Sequence, residues 1–122
     1  MSKILIIDDL ATDVMAMKTI VGGLGHSIVV ANDGEAGYAA AKSETPDLIL
    51  LDVVMPKMDG FQTCRKIKKD PETAGIPIIL VTTKNQETDR TWGLRQGAAE
   101  FVAKPFTSAE LGAKITTALQ AA

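Results

Sequence analysis

LILLDVVMPKMDG, residues 48–60, is an unbroken apolar run that ends on a carboxylate and then turns at Pro56 and Gly60. A strand with one wet face would alternate apolar and polar residues. A run apolar at every position fits a strand covered on both faces, as in a parallel sheet between helices. Working outward, two more such runs lie at residues 4–7 and 77–81. Weaker strand candidates are Ser27–Ala31 and Glu100–Ala103.

Helical patterns fill the gaps. Leu10, Val14, Met17, Val21 and Leu24 recur at spacings of three and four, which predicts one apolar helix face. Gly22, Gly23 and Gly25 stop it. Residues 35–42 form an alanine-rich helix that ends near Pro46, and Phe61, Cys64 and Ile67 share a face of a third helix that closes before Asp70-Pro71. Leu111, Ile115, Ala118 and Leu119 mark the last helix, with Thr107 or Ser108 as its cap. Residues 87–96 read as a marginal helix, because Trp92 and Leu94 point to different faces and Gly93 costs about 1 kcal/mol relative to alanine. Five strand–helix units in alternation predict an α/β sandwich on a parallel sheet.

The 122 residues fit one domain, 1–122, with no linker, repeat or low-complexity stretch. At 46% hydrophobic and 23% charged, a packed soluble core is expected. A net charge of −2 carries no footprint of nucleic-acid binding. No apolar run approaches the ~20 residues of a membrane helix, and Met-Ser-Lys leading straight into residues 4–9 is too short for a signal peptide. The single cysteine, Cys64, forms no internal disulfide and agrees with a reducing, cytoplasmic compartment.

Ligands of open α/β sheets bind outside the carboxyl ends of the strands. The first strand runs into Asp8-Asp9, the third into Asp52, the fourth into Thr82-Thr83 and the fifth into Lys104. Three carboxylates, a hydroxyl and an ammonium therefore converge on one rim. Clustered carboxylates repel unless a cation sits between them, and hard oxygen donors suit Mg²⁺. A carboxylate can also attack phosphorus to give an aspartyl phosphate. Metal and lysine would neutralise the transferring group, and the Thr82 hydroxyl can donate to a phosphoryl oxygen. Taken alone, Asp8-Asp9 also fits a helix cap with a solvated neighbour, and Asp52 a turn cap.

With these residues in this order, the whole chain resembles the CheY-like response-regulator receivers. The resemblance implies a flavodoxin-like (βα)5 doubly wound fold with strand order 2-1-3-4-5. It assigns Asp8 and Asp9 to the acidic metal-binding pair and Asp52 to the phosphoacceptor. It assigns Thr82 to the switch hydroxyl, Lys104 to the lysine of the Lys-Pro pair and Phe101 to the aromatic that moves with Thr82. The Val54 backbone carbonyl becomes a further ligand for Mg²⁺, for which Mn²⁺ can substitute, and the Lys104–Pro105 bond is expected to be cis. The implied protein is a stand-alone signalling receiver rather than an enzyme, assisting only its own phosphorylation and dephosphorylation. Its donor would be a histidine kinase or phosphotransfer domain, and its target would bind the fourth helix–fifth strand–fifth helix face. No nucleic acid and no membrane insertion are expected, and the chain would be a monomer or weak dimer. Thr82-Thr83-Lys84, Gln86-Glu87, Asp89, Trp92-Gly93 and Gln96-Gly97-Ala98 are similar to PilH-type receivers, which implies chemotaxis-like control of type IV pili, twitching motility or phototaxis.

Two other roles are open at this point. The same chemistry would serve a phosphate sink or relay. An unrelated flavodoxin-like cofactor binder is disfavoured because two carboxylates open the loop where a flavin phosphate would sit. A haloacid-dehalogenase-type phosphatase is disfavoured because its Asp-x-Asp pattern is absent after the first strand. Val54 could hinder the water that attacks a phosphoryl group, or only shield the turn. Phe101 reads equally as core or as switch. Trp92 reads as packing over the fourth helix, with a docking anchor as the alternative. Arg90 and Arg95 read as solvated, Cys64 as core and His26 as a loop residue.

Overall fold

The computed structural model describes residues 1–121. Five strands alternate with five helices: β1 (Lys3–Ile7), α1 (Ala11–Gly23), β2 (Ser27–Ala31), α2 (Gly34–Glu44), β3 (Leu48–Leu51), α3 (Gly60–Lys69), β4 (Ile78–Thr82), α4 (Glu87–Arg95), β5 (Glu100–Ala103) and α5 (Ser108–Ala121). All strand pairs are parallel, in the order β2-β1-β3-β4-β5. The predicted fold and strand order are both present.

The continuous apolar runs are explained by a core on each side of the sheet. Ile4, Ile6, Leu48, Leu50, Ile79 and Val81 face α1 and α5, where they meet Met17, Val21, Leu111 and Ile115. The alternate residues Leu5, Ile7, Ile49, Leu51, Ile78 and Leu80 face the other way, toward α2 and α3. The period of two survives, but both faces are dry, so no polar residue marks it. The central strand side chains are completely buried.

Three local readings change. The α1 stripe is narrower than its spacing suggests: Met17 and Val21 are buried, whereas Leu10 is 52% exposed and precedes the helix, and Leu24 is exposed beyond its end. The helix closes as a Schellman turn, with the His26 amide on the Val21 carbonyl and Gly25 at φ +87°. The α4 segment is a regular helix rather than a marginal one. A capping box between Gln86 and Asp89 starts it, and its buried residue is Gly93. A Cβ at Gly93 would lie 2.5 Å from Leu80 Cδ1, so the glycine is what lets α4 seat on β4. Arg90 is not simply solvated, because its guanidinium reaches Glu100 at 3.5 Å. Thr107 caps α5, accepting the Glu110 amide at 3.0 Å.

Candidate functional site

The sheet register builds the site. Ile7 and Leu51 are paired across β1 and β3, so the residues that follow, Asp8 and Asp52, emerge side by side. Backbone bonds hold both: the Asp52 amide donates to the Ile7 carbonyl (3.0 Å) and the Asp8 amide to the Ala31 carbonyl (3.1 Å). This is the crevice where strand order reverses, at the carboxyl edge of the sheet. Gly60 completes it from α3. A Cβ there would lie 2.1 Å from the Asp52 carbonyl oxygen, so only glycine lets α3 start this close to the acidic strand end.

Asp52 is 5% exposed. Its Oδ1 accepts the Val53 amide at 2.7 Å and the Val54 amide at 3.3 Å, which orients the carboxylate. Its Oδ2 receives Lys104 Nζ at 3.3 Å. Asp8 is fully buried; its Oδ1 takes the Leu10 amide and its Oδ2 takes Lys104 Nζ at 2.9 Å. Asp9 is exposed at the rim. Carboxylate oxygens of Asp8, Asp9 and Asp52 lie within 4.8 Å of one another. A cleft of about 390 Å³ opens beside them, lined by Asp8, Asp9, Val14, Met15, Lys18 and Asn32.

Charge balance inside this cluster rests on Lys104. Its side chain is 7% exposed and donates to three carboxylates, the shortest bond being 2.7 Å to Asp13 Oδ2. Burial alone would pull the ammonium pKa down, but the bonds to Asp13 and Asp8 and the charges of Asp52 and Asp8 outweigh it and hold the pKa above the usual lysine value. Burial is the main cause raising Asp8 above the ordinary carboxyl range, against the opposing pull of Lys104. The pocket therefore demands positive charge. Three convergent oxygen donors, one open to water, fit a hard divalent cation that retains part of its hydration.

The other sequence-derived candidates fall around this centre. Thr82 ends β4, fully buried, with its hydroxyl oxygen accepting the Lys84 amide at 3.1 Å. It does not bond to Asp52, but the Lys104 amide donates to its carbonyl at 2.9 Å. The Lys104–Pro105 peptide is cis. Val54 lies two residues beyond Asp52 and is 56% exposed. Phe101 is buried, in register with Leu80, within the core that faces α3. Cys64 is buried, and His26 lies between α1 and β2 with its Nδ1 accepting the Ser2 amide.

Two residues of the site escape a reading of strand ends. Asp13 lies in the first turn of α1, not at a strand end, and its signal was its position one helical turn beyond Asp9. Gly60 read only as a turn former, because sequence does not reveal a close backbone approach.

The response regulator receiver domain family matches residues 4–116. Protein PilH of Pseudomonas aeruginosa is 47% identical over 105 residues, covering 86% of this chain and 87% of PilH. The response regulator PleD of Caulobacter vibrioides is 40% identical over 114 residues, covering 93% of this chain but 25% of PleD. The chain thus spans about a quarter of that longer relative. Among solved structures, the receiver domain of a sensor histidine kinase from Pseudomonas aeruginosa PAO1, with a magnesium ion coordinated in its active site cleft, superposes with a TM-score of 0.90. It is 27% identical, over 98% of each chain.

Proposed function

This chain belongs to the response regulator receiver domain family, and we propose that it is a phosphoryl-operated switch whose acceptor is Asp52. The observation that carries the reading is the Asp52 carboxylate itself. It is buried, oriented by two amides through one oxygen, and turned toward Lys104 through the other. A buried carboxylate beside an ammonium and two further acids is poorly suited to be inert, and well suited to in-line attack on phosphorus.

The donor is the phosphohistidine of a histidine kinase or phosphotransfer domain. A carboxylate oxygen of Asp52 forms the new O–P bond as the P–N bond breaks, and the departing imidazole keeps the electron pair and takes up a proton. Asp8, Asp9, Asp52 and the Val54 carbonyl would hold Mg²⁺, or Mn²⁺ in its place. The metal, when bound, supplies positive charge to an otherwise repulsive acidic pocket. Lys104 pairs with the phosphoryl group and exchanges one of its carboxylate partners for it. Thr82 turns its hydroxyl onto a phosphoryl oxygen, and Phe101 follows it.

Hydrolysis resets the switch: water attacks phosphorus, the O–P bond to Asp52 breaks, inorganic phosphate leaves and the Asp52 carboxylate is regenerated. The chain is a signalling receiver, not an enzyme of the classical kind. The readout is a population shift across α4, β5 and α5. Glu100 ties these three elements together, through Arg90 on α4 and Lys114 on α5. The identity to PilH supports a place in a chemotaxis-like, pilus-controlling pathway. A kinase partner of that type implies a cytoplasmic site of action.

Intact-mass spectrometry tests this reading. Incubation with acetyl phosphate should add one phosphoryl mass that requires Mg²⁺ and is lost in Asp52→Asn. A folded protein that gains no adduct from acetyl phosphate or from candidate phosphohistidine donors would refute it.

A further inference from the structure

We infer that the groove between α3 and α4 is a docking site for an acidic segment of a partner protein, one that places a carboxylate beside an apolar side chain. The site is separate from the phosphoryl pocket, and the inference does not depend on phosphorylation.

Charge is the first observation. Seven of the chain's 13 lysines and arginines form ion pairs: Lys3, Lys42, Lys66, Lys84, Arg90, Lys104 and Lys114. Among the described residues, Lys18 and Lys57 stand apart without such a partner. The remaining four, Arg65, Lys68, Lys69 and Arg95, all line one groove with Trp92 and Gln96. In a protein with a net charge of −2, four of the six cations that lack a carboxylate partner among the described residues share one surface, with Lys68 turned onto the Ala74 and Ile76 carbonyls and Arg65, Lys69 and Arg95 making no ion pair. Lys68, Lys69 and Arg95 lie in the last turns of α3 and α4, where a cation also suits the helix dipole. Arg65 does not, being a turn earlier on α3.

The second observation is how Arg65 is held. Its Nε donates to the Oε1 of Gln96 at 3.1 Å, and Gln96 is itself 8% exposed. With Nε tied down by a buried amide, the terminal nitrogens are left as donors for a carboxylate. The third is an apolar anchor. Trp92 is 45% exposed, and the groove continues past it into a section of about 390 Å³ that Met58 and Phe61 also line. An exposed tryptophan beside a preorganised arginine is the composition of a binding hot spot. A polyanion is the weaker fit. Asp59 lies in the same groove, and the chain's overall charge opposes a phosphate backbone. A helical segment with an acidic and an apolar side chain four residues apart would meet Arg65 and Trp92 together.

Trp92 is the only tryptophan, so tryptophan emission, excited where Tyr38 does not absorb, reports on this groove. The unphosphorylated full chain would be titrated with an acidic helical peptide carrying Glu and Leu four residues apart, following fluorescence and amide NMR shifts. Parallel arms would use the same peptide with Lys for Glu, the same peptide with Ser for Leu, a single-stranded oligothymidylate and phosphatidylglycerol vesicles. The expected result is shifts centred on α3 and α4 with the acidic apolar peptide, weakened by salt. Affinity should fall by about tenfold or more in Arg65→Gln and in Trp92→Ala. Both variants change exposed positions and should keep the circular dichroism spectrum and the acetyl-phosphate adduct. Absence of binding by the acidic peptide, equal binding of the Lys peptide, shifts elsewhere, or tighter binding of oligothymidylate or vesicles would each overturn the inference.

Discussion

Replacing Lys104 with methionine should destabilise the metal-free protein by about 3 kcal/mol at neutral pH and make Mg²⁺ a stronger stabiliser of the variant than of the parent. The Lys104 ammonium is 2.9 Å from Asp8, 2.7 Å from Asp13 and 3.3 Å from Asp52. Methionine conserves length and apolar stem but removes the charge, leaving fully buried Asp8 and nearly buried Asp52 facing each other. Breaking a buried pair from one side costs roughly 3–5 kcal/mol. The lower end applies because Asp9 and part of Asp13 touch water and relieve some of the repulsion. In urea, with a slope of about 1.5 kcal/mol/M, the midpoint should fall by about 2 M. Divalent metal replaces the missing cation, so 100-fold excess over its dissociation constant should return about 2.7 kcal/mol. Acid should help as well. Asp8 is raised in the fold, so its contribution is fully present below the ordinary value of 3.8 and is lost as pH rises through the raised value. The variant should therefore recover stability as pH falls from 7 toward 4, measured by urea unfolding in EDTA. A variant as stable as the parent in EDTA, or one that Mg²⁺ stabilises less than the parent, would refute the electrostatic account of this pocket.

Two further perturbations probe the scaffold. Gly60→Ala places a Cβ 2.1 Å from the Asp52 carbonyl oxygen and 2.6 Å from Val53 Cα, both backbone atoms that cannot rotate aside. It should cost about 1–3 kcal/mol in urea unfolding and slow acetyl-phosphate labelling, whereas unchanged stability and labelling would mean that α3 is free to slide. Asp70 is held down to about 2 by the Tyr38 hydroxyl first, then by the Glu72 amide and Lys42. A depressed carboxyl contributes stability that is present above 3.8 and lost as pH falls through about 2. The parent should accordingly lose stability over that window and Asp70→Asn should lose less, and parallel acid limbs in the two proteins would count against the Tyr38–Asp70 contact.

The parts of this fold legible in the sequence are those where burial is total. β1, β3 and β4 announce themselves because both faces are dry, and the acids that follow β1 and β3 stand out because polar residues abruptly end apolar runs. Asp8, Asp9, Asp52 and Thr82 were readable for that reason and Lys104 through the weaker fifth strand, and the structure brings Asp8, Asp52 and Lys104 into direct contact. α4 was less legible because the residue it buries is a glycine, so no apolar side chain records its inward face. Leu10 and Leu24 misled in the opposite sense: they extend the α1 periodicity but fall outside the helix. Asp13 was missed because its role depends on the distance between α1 and the end of β5, which local pattern does not encode. The unpaired state of Arg65 and Arg95 is equally invisible, since it depends on where every carboxylate lies.

The same glycine that hid α4 bears on how a change at Asp52 could reach the surface. Thr82 and Lys104 are joined through the backbone, and two residues before Thr82 and three before Lys104, Leu80 is in register with Phe101. A Cβ at Gly93 would be 2.5 Å from Leu80, 3.4 Å from Phe61 and 3.6 Å from Phe101, so α4 rests on these side chains with no side chain of its own between. A helix seated through a glycine is held by contact but not by interlocking, and a modest movement of Phe101 meets little resistance to repositioning it. Glu100 supplies the counterweight, tying α4 to β5 and α5 through Arg90 and Lys114 while accepting the Phe101 amide through the same carboxylate. If Asp52 is the acceptor, the shift in α4 is set by competition between an unlocked apolar seat and this partly exposed ion-pair clamp. Surface ion pairs contribute about 0–1 kcal/mol each, so the clamp can bias the two arrangements without freezing either.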